Sequence, residues 1–402
     1  MCVGFAVLLI GFGGSSISMA SLSSTDVEFM WGIHAYHVPF DSYKLNERDL
    51  EIIASNGIGW VSIEFAWRDM ERVKGIYEFS YFDMVVEAAQ RNRLKIVGGL
   101  GNGYNGVRSC VPDWTLELGE EEYVEALSKY IEKVVERYGG TVDYWKVENE
   151  PNVVNAHLLS RWRVGKWSDE RIFKILEESY KVIREFDPGS KIILSISSSA
   201  PGWVDWLERV SVLDFDIIGL QSYPCLFLDS PENAASTAYE IRVAQNHRND
   251  VIVLETGYHN FHRTQEQQAQ YIEEMVEAVL RAGGKGVLFY EYIDSPDEYP
   301  EQEKHFGLLE NDRTPKKAWY RYGEVVEKYK GRENEFVQET ELGTMDKLVF
   351  DLVNTPVVYN LYNWFMDLMI KIPAFQRIYL FLVDDMAALT YEILSIVSRI
   401  IS

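Results

Sequence analysis

The stretch "YWKVENEPN" (residues 144–152) decides the fold. It opens as an apolar, β-favouring run and then turns abruptly to Glu148, Asn149, Glu150 and Pro151. A short buried strand that stops at a loop reads this way, and its near-continuous hydrophobicity suits a strand covered on both faces. An acid at the end of a core strand loses hydration, so it needs either a partner or a chemical task.

Seven further runs of the same kind lie on either side: "FMWGIH" from Phe29, "WVSIEF" from Trp60, "LKIVGGL" from Leu94, "KIILSI" from Lys191, "FDIIGLQ" from Phe215, "VIVLE" from Val251 and "GVLFYE" from Gly286. Amphipathic segments separate them, and some carry their own punctuation. Asn56 and Gly57 stop the first helix, Ser80 with Asp83 has the capping-box pattern, and Ile172, Ile175, Leu176 and Ile183 keep helical spacing up to Asp187, Pro188 and Gly189. Eight βα units over residues 25–331 predict an α/β fold, a (β/α)8 TIM barrel. A doubly wound sheet is the competing fold, but no Gly-rich phosphate fingerprint follows the first strand.

Composition narrows the function. The 402 residues carry a formal net charge of -23, which opposes binding to phosphate backbones and argues against nucleic acid as a partner. With 11 Trp and 24 Tyr, the chain has aromatic rings to spare for stacking on sugars, although core filling uses the same residues. Cys2, Cys110 and Cys225 are too few for a disulfide framework or a tetrathiolate zinc site, and whether Cys110 and Cys225 pair stays open.

The ends differ from the middle. Residues 1–24 hold an apolar run followed by small residues, as in a secretory signal cleaved after Ala20, though without the usual preceding Lys or Arg. Export to the cell surface or beyond is the expectation, with a cytoplasmic location as the alternative. Residues 332–343 form a charged linker, and residues 344–402 turn apolar in helical stretches divided at Pro356 and Pro373. This appendage suits an amphipathic helix lying in a lipid interface, or a cap packed on the barrel or on another copy of the chain. It has no stretch of eighteen uncharged apolar residues of the kind a spanning helix needs.

A barrel of this type carries its active site where strands end and the next loops begin. Those ends hold His34, Trp67, Asn102, Tyr104, Asn149, Glu150, Gln221, Tyr223, Glu255, Tyr258, Tyr290 and Glu291. Glu150 follows the fourth strand and Glu255 ends the seventh, so closure of the barrel sets them across one mouth. Two facing carboxyls are what glycoside hydrolysis requires, one protonated to donate and one ionised to attack. Taken singly, each acid could instead be half of a structural ion pair. His34, Tyr104 and Tyr258 are candidate sugar contacts from their places at strand ends and in mouth loops. His34, His37, His259 and His262 are too loosely spaced for a metal site, so no metal or cofactor is expected.

Longer matches add to this reading. "FAWRDMERVKGIYEFSYFDMVVEAAQ", "NEP", "QSYP", "VIVLETGY" and "FGLLENDRTPKKAWY" together resemble the clan A glycoside hydrolases, the retaining barrel enzymes that include β-xylosidases, endo-galactanases and cellulases. The resemblance spans residues 28 to 323. It implies a carbohydrate substrate, Glu150 as general acid/base, Glu255 as nucleophile, Asn149 as a hydrogen-bond donor to the sugar 2-hydroxyl, Tyr223 as a contact to the nucleophile, and Tyr290 beneath the sugar. Three positions depart from the clan: Ser62 stands where relatives have an Arg near the nucleophile, Glu148 where they often have Trp, and Tyr290 in place of Trp. The missing Arg keeps a second expectation open, a catalytically silent carbohydrate-binding or membrane-associated barrel.

Overall fold

The protein is described from a computed structural model, which covers residues 28–35, 45–101, 111–153, 168–224, 231–295 and 302–337, with isolated positions between Phe350 and Trp364. Eight parallel strands close into a barrel in chain order. They are β1 (Met30–His34), β2 (Trp60–Glu64), β3 (Lys95–Leu100), β4 (Tyr144–Val147), β5 (Lys191–Ser197), β6 (Ile217–Gln221), β7 (Val251–Thr256) and β8 (Gly286–Phe289). Pairing of Met30 with Gly286 through Ile33 with Phe289 joins the first strand to the last. Each apolar run expected to be a strand is one.

The barrel interior is layered. Met30, Trp60, Val97, Ile193, Ile217, Ile252, Leu254 and Leu288 form an apolar cluster of their own, with Tyr144 packed against it. Side chains alternate faces along a strand, so positions two and four residues further on share that interior nearer the strands' C-terminal ends. Those positions are His34, Ser62, Glu64, Gly99, Lys146, Ser195 and Gln221, all buried. An oily plug thus lies beneath a polar layer, and the polar layer floors the mouth.

Helices sheath the strands through the larger core cluster. Asp169–Phe186 starts where the Ser168 side chain accepts from Arg171 N, buries Ile172, Ile175, Leu176 and Ile183, and ends at Asp187. Glu47–Ser55 ends at Asn56, with Gly57 at φ 81°, a left-handed turn that glycine adopts without strain. The Ser80 capping box does not form: Phe79 caps the helix Ser80–Arg91 without a side-chain bond. Asp83 is instead held by Arg137 Nε and Nη2 at 2.7 and 2.5 Å and by the Tyr138 hydroxyl at 2.9 Å.

The long match after β2 proves to be a local brace. Buried Glu71 accepts from Trp67 Nε1 at 2.6 Å, the Tyr77 hydroxyl at 2.8 Å and Gly75 N at 2.7 Å. Its backbone carbonyl takes Trp114 Nε1 at 3.0 Å. Trp67 lies fully inside this brace, stacked on Tyr130 with ring centroids 5.1 Å apart.

Of the apolar appendage, only scattered positions are described. Phe350 packs its ring on Tyr239 at 4.8 Å and on Trp203 at 6.2 Å, so this point of the segment rests on the barrel's outer helices. Among the described residues no helix is long and apolar enough to cross a membrane. Residues 1–24, Cys110, Cys225 and most of 344–402 lie outside the described residues.

Candidate active site

The segment after β4 is built to hold one unusual conformation. Glu148 and Glu150 have φ 58° and 48°, left-handed values that cost non-glycine residues energy, and such strain persists only where surroundings enforce it. The enforcement is visible. Asn152 Nδ2 donates to Ser197 O at 2.9 Å while Ser197 N donates to Asn152 Oδ1 at 2.9 Å, pinning the loop to the end of β5. Glu150 N meets Ser195 Oγ at 3.4 Å, and Val153 N closes a turn on Glu150 O at 2.9 Å. Glu150 is left partly exposed between two buried neighbours, Asn149 and Pro151.

Across the mouth, a bulge aims Glu255. Pairing between β6 and β7 slips so that Leu220 faces Val253 while Gln221 faces Glu255, and Leu254 becomes the extra residue. Bulges of this kind redirect side chains and leave a backbone group without its ladder partner. His34 supplies that partner, its Nε2 lying 2.8 Å from Leu254 O. A carbonyl only accepts, so Nε2 carries the hydrogen. The Tyr223 hydroxyl donates to Glu255 Oε1 at 2.8 Å, and the Glu255 side chain keeps 15% of its surface open.

His34 Nε2 also lies 3.9 Å from Glu255 Oε2, within ion-pair distance. Burial first, then the nearby charge of Lys146, push the imidazole down to about 3, against a weaker opposing effect of the Leu254 hydrogen bond. The ring is therefore neutral near pH 7, and the contact is polar rather than ionic.

Between the two acids lies a buried polar network. Lys146 Nζ donates to Asn149 Oδ1 at 2.9 Å and sits 3.8 Å from Glu64 Oε2, with both charged side chains nearly sealed from solvent at 3% and 4% exposure. Gln221 Nε2 donates to Asn149 Oδ1 as well and to Ser195 Oγ at 3.0 Å. Gly99 makes room for this layer, since a Cβ there would fall on the Glu64 carboxylate.

The structure thus brings Glu150, Asn149, Glu255, Tyr223 and His34 to one end of the barrel. Tyr290 joins them, its ring 6.1 Å from His34. Phe306, which opens the "FGLLENDRTPKKAWY" match but received no role of its own there, fills the wall between Tyr223 at 6.0 Å, Tyr290 at 5.5 Å and His259 at 5.3 Å. Tyr258 is not the exposed platform expected of it: it is 2% exposed, packed on Tyr271 at 5.3 Å, with Arg263 over its ring at 4.5 Å. Tyr104, Asn102 and His37 lie outside the described residues. Glu148 is buried rather than part of a sugar platform, and its carboxylate packs against Gly101. Lys146, Glu64 and Phe306 escaped the sequence reading, although Tyr144 and Lys146 share a strand face in the alternation of "YWKV".

A closed parallel barrel with an acid after β4, another in β7 and a tyrosine on the second defines a glycoside hydrolase of clan A. The family model of glycosyl hydrolase family 10 matches residues 51–324, and the chain belongs to that family. Solved structures agree on the fold. A variant of the GH5_18 enzyme of Streptomyces cattleya, in complex with Manb1-4GlcNAc, superposes with a TM-score of 0.62 at 18% identity, over 71% of this chain and 75% of that one. The exo-beta-1,4-mannosidase Op5Man5 of Opitutaceae bacterium strain TAV5 gives 0.62 at 15%, over 76% and 60%. A family 39 glycoside hydrolase from Bacteroides cellulosilyticus WH2 gives 0.59 at 19%, over 76% and 65%.

Proposed function

We propose that the chain is a retaining β-glycosidase in which Glu255 is the nucleophile and Glu150 the general acid/base. Glu255 Oε2 attacks the anomeric carbon while Glu150 gives its proton to the departing oxygen, leaving a glycosyl ester on Glu255. Water then attacks that carbon, loses a proton to Glu150, and releases the sugar with its original configuration. Tyr223 holds Oε1, and Oε2 is the oxygen assigned to the attack. Asn149, whose Oδ1 takes Lys146 and Gln221 and whose Nδ2 reaches Gln221 Oε1 at 3.4 Å, offers its second amide hydrogen to the sugar 2-hydroxyl, and Tyr290 lies beneath the ring.

One observation supports this reading most: the Tyr223 hydroxyl holds Glu255 at 2.8 Å, while Gln221, the strand partner of Glu255, reaches Asn149 beside Glu150. The family supports a carbohydrate substrate, which we take to be a β-linked oligosaccharide, polysaccharide or glycoconjugate. Two superposed structures concern β-mannosidic compounds, so β-mannosides belong at the head of any panel.

The test is incubation with aryl β-mannosides, glucosides and xylosides and with oligosaccharides, following the anomer first released by NMR. Release of the β-anomer is expected. Release of the α-anomer would refute retention, and glycan binding without turnover across the panel would favour a silent barrel.

A further inference from the structure

The polar layer contains a cation that nothing in the motif reading required. Lys146 projects from β4 into the barrel, with its ammonium bonded to Asn149 Oδ1 at 2.9 Å and 3.8 Å from Glu64 Oε2. A buried ammonium loses a large hydration energy, so it is retained only where its charge is used or neutralised. Glu64 neutralises it at a distance longer than a direct hydrogen bond, while the close contact goes to an uncharged amide. Lysine only donates, so the amide atom facing it must be oxygen, whichever way Asn149 would otherwise turn. Gln221 Nε2 donates to the same oxygen, and Gln221 Oε1 takes one Asn149 Nδ2 hydrogen at 3.4 Å, so it is the other amide hydrogen that the orientation offers to the sugar.

We propose that Lys146 is the positioning residue of this site: it turns the Asn149 amide so that Nδ2 faces the sugar, and it supplies the positive charge against which Glu255 stays ionised. This rests on Glu255 acting as the nucleophile and Asn149 as the 2-hydroxyl donor. It also explains how Ser62 can stand where relatives carry Arg, because the cation enters the same layer from β4 instead of β2. Glu255 is touched by His34 from β1 at 3.9 Å and by the Tyr223 hydroxyl after β6 at 2.8 Å. Lys146 from β4 and Glu64 from β2 share the interior layer with His34, whose ring feels the Lys146 charge, while Glu150 follows β4 and Tyr290, 6.1 Å from His34, follows β8. Near pH 7 His34 is neutral, as its burial and the Lys146 charge require. Among the described residues of this layer Lys146 is the positive member, and Glu64 is the acid 3.8 Å from it.

Opposite charge effects separate this role from simple support. Lys146→Met removes a cation near Glu255, so the acid limb of the kcat/KM–pH profile moves to higher pH, by about one unit. Glu64→Gln removes an anion, so the limb moves to lower pH. A residue that merely holds the fold would lower activity in both variants without opposed shifts. Misdirection of Asn149 adds a second signature: the preference for an aryl glycoside over its 2-deoxy analogue falls about ten-fold in Lys146→Met. Profiles of wild type and both variants on an aryl glycoside that wild type cleaves, with the 2-deoxy analogue alongside, make the test. Should Lys146→Met fail to fold, the downward limb of Glu64→Gln carries the prediction. Limbs that stay in place, or move the same way, overturn the role of Lys146 while leaving wild-type hydrolysis intact. A wild type with no turnover on any glycoside overturns the nucleophile assignment and this role with it.

Discussion

At the scale of single residues, the two proposed acids were readable because a charged group at the end of an apolar strand is costly without a use. Glu150 and Glu255 stood out for that reason, and the structure puts both at one mouth. Lys146 did not stand out, because a lysine in "YWKV" looks like the solvent side of an amphipathic strand. In a closed barrel that side is the inside. Tyr258 misled in the opposite direction, since an aromatic just past a strand end looks exposed until its neighbours Tyr271 and Arg263 are known. Two predictions belong here. Tyr223→Phe deletes the hydrogen bond to Glu255 and should lower kcat about 10- to 100-fold with little change in Tm. Glu150→Ala should lose about 10²- to 10⁴-fold on glycosides with poor leaving groups, yet keep fast first-step cleavage of dinitrophenyl glycosides, whose leaving oxygen needs no proton. Burst kinetics on the two substrate types distinguish them, and an equal loss on both would contradict the acid role.

At the scale of elements, all eight strands were legible, because strands covered on both faces become unbroken β-favouring runs. The helix stop at Asn56 and Gly57 and the end at Asp187 were legible too, since they depend on local chemistry. The Ser80 cap failed because Asp83 found a tertiary partner in Arg137, which local sequence does not encode. The β7 bulge was equally hidden: it is defined by pairing with β6, and His34 completes it from the far end of the chain. The brace around Glu71 and the close packing at Gly101 give a stability prediction. Gly101 has φ 92°, and a Cβ there would lie 2.7 Å from Glu148 Oε1, so Gly101→Ala should cost about 1–3 kcal/mol. Glu71→Ala, which leaves Trp67, Tyr77 and Gly75 donors without their acceptor, should cost at least as much. Denaturant midpoints of the two variants check both values.

At the scale of the whole molecule, buried His34 links stability to pH. Its imidazole is held at about 3 in the folded chain, against an ordinary value of 6.5 when unfolded. Between these values the unfolded chain binds a proton that the folded chain refuses, so the contribution is present above pH 6.5 and is lost as pH falls through that window. At pH 5 the loss amounts to about 2 kcal/mol. His34→Gln, which keeps a donor for Leu254 O and does not titrate, should therefore flatten the fall in Tm between pH 7 and pH 5. An unchanged slope would place the acid sensitivity elsewhere. The apolar segment 344–402 was readable as a change of composition, but its partner was not, because an oily helical face is the same whether lipid, barrel or a second copy covers it. The contacts of Phe350 with Tyr239 and Trp203 favour packing on the barrel at that point.

If Glu255 is the nucleophile, a glycosyl ester forms at that one side chain during turnover. Incubating the protein with an activated 2-deoxy-2-fluoro β-glycoside of a sugar it cleaves, then mapping the adduct by peptide mass spectrometry, tests this most directly. A single label on Glu255, absent in Glu255→Gln, is the expected result; a label on another residue, or turnover that proceeds with Glu255 replaced, would contradict the nucleophile assignment.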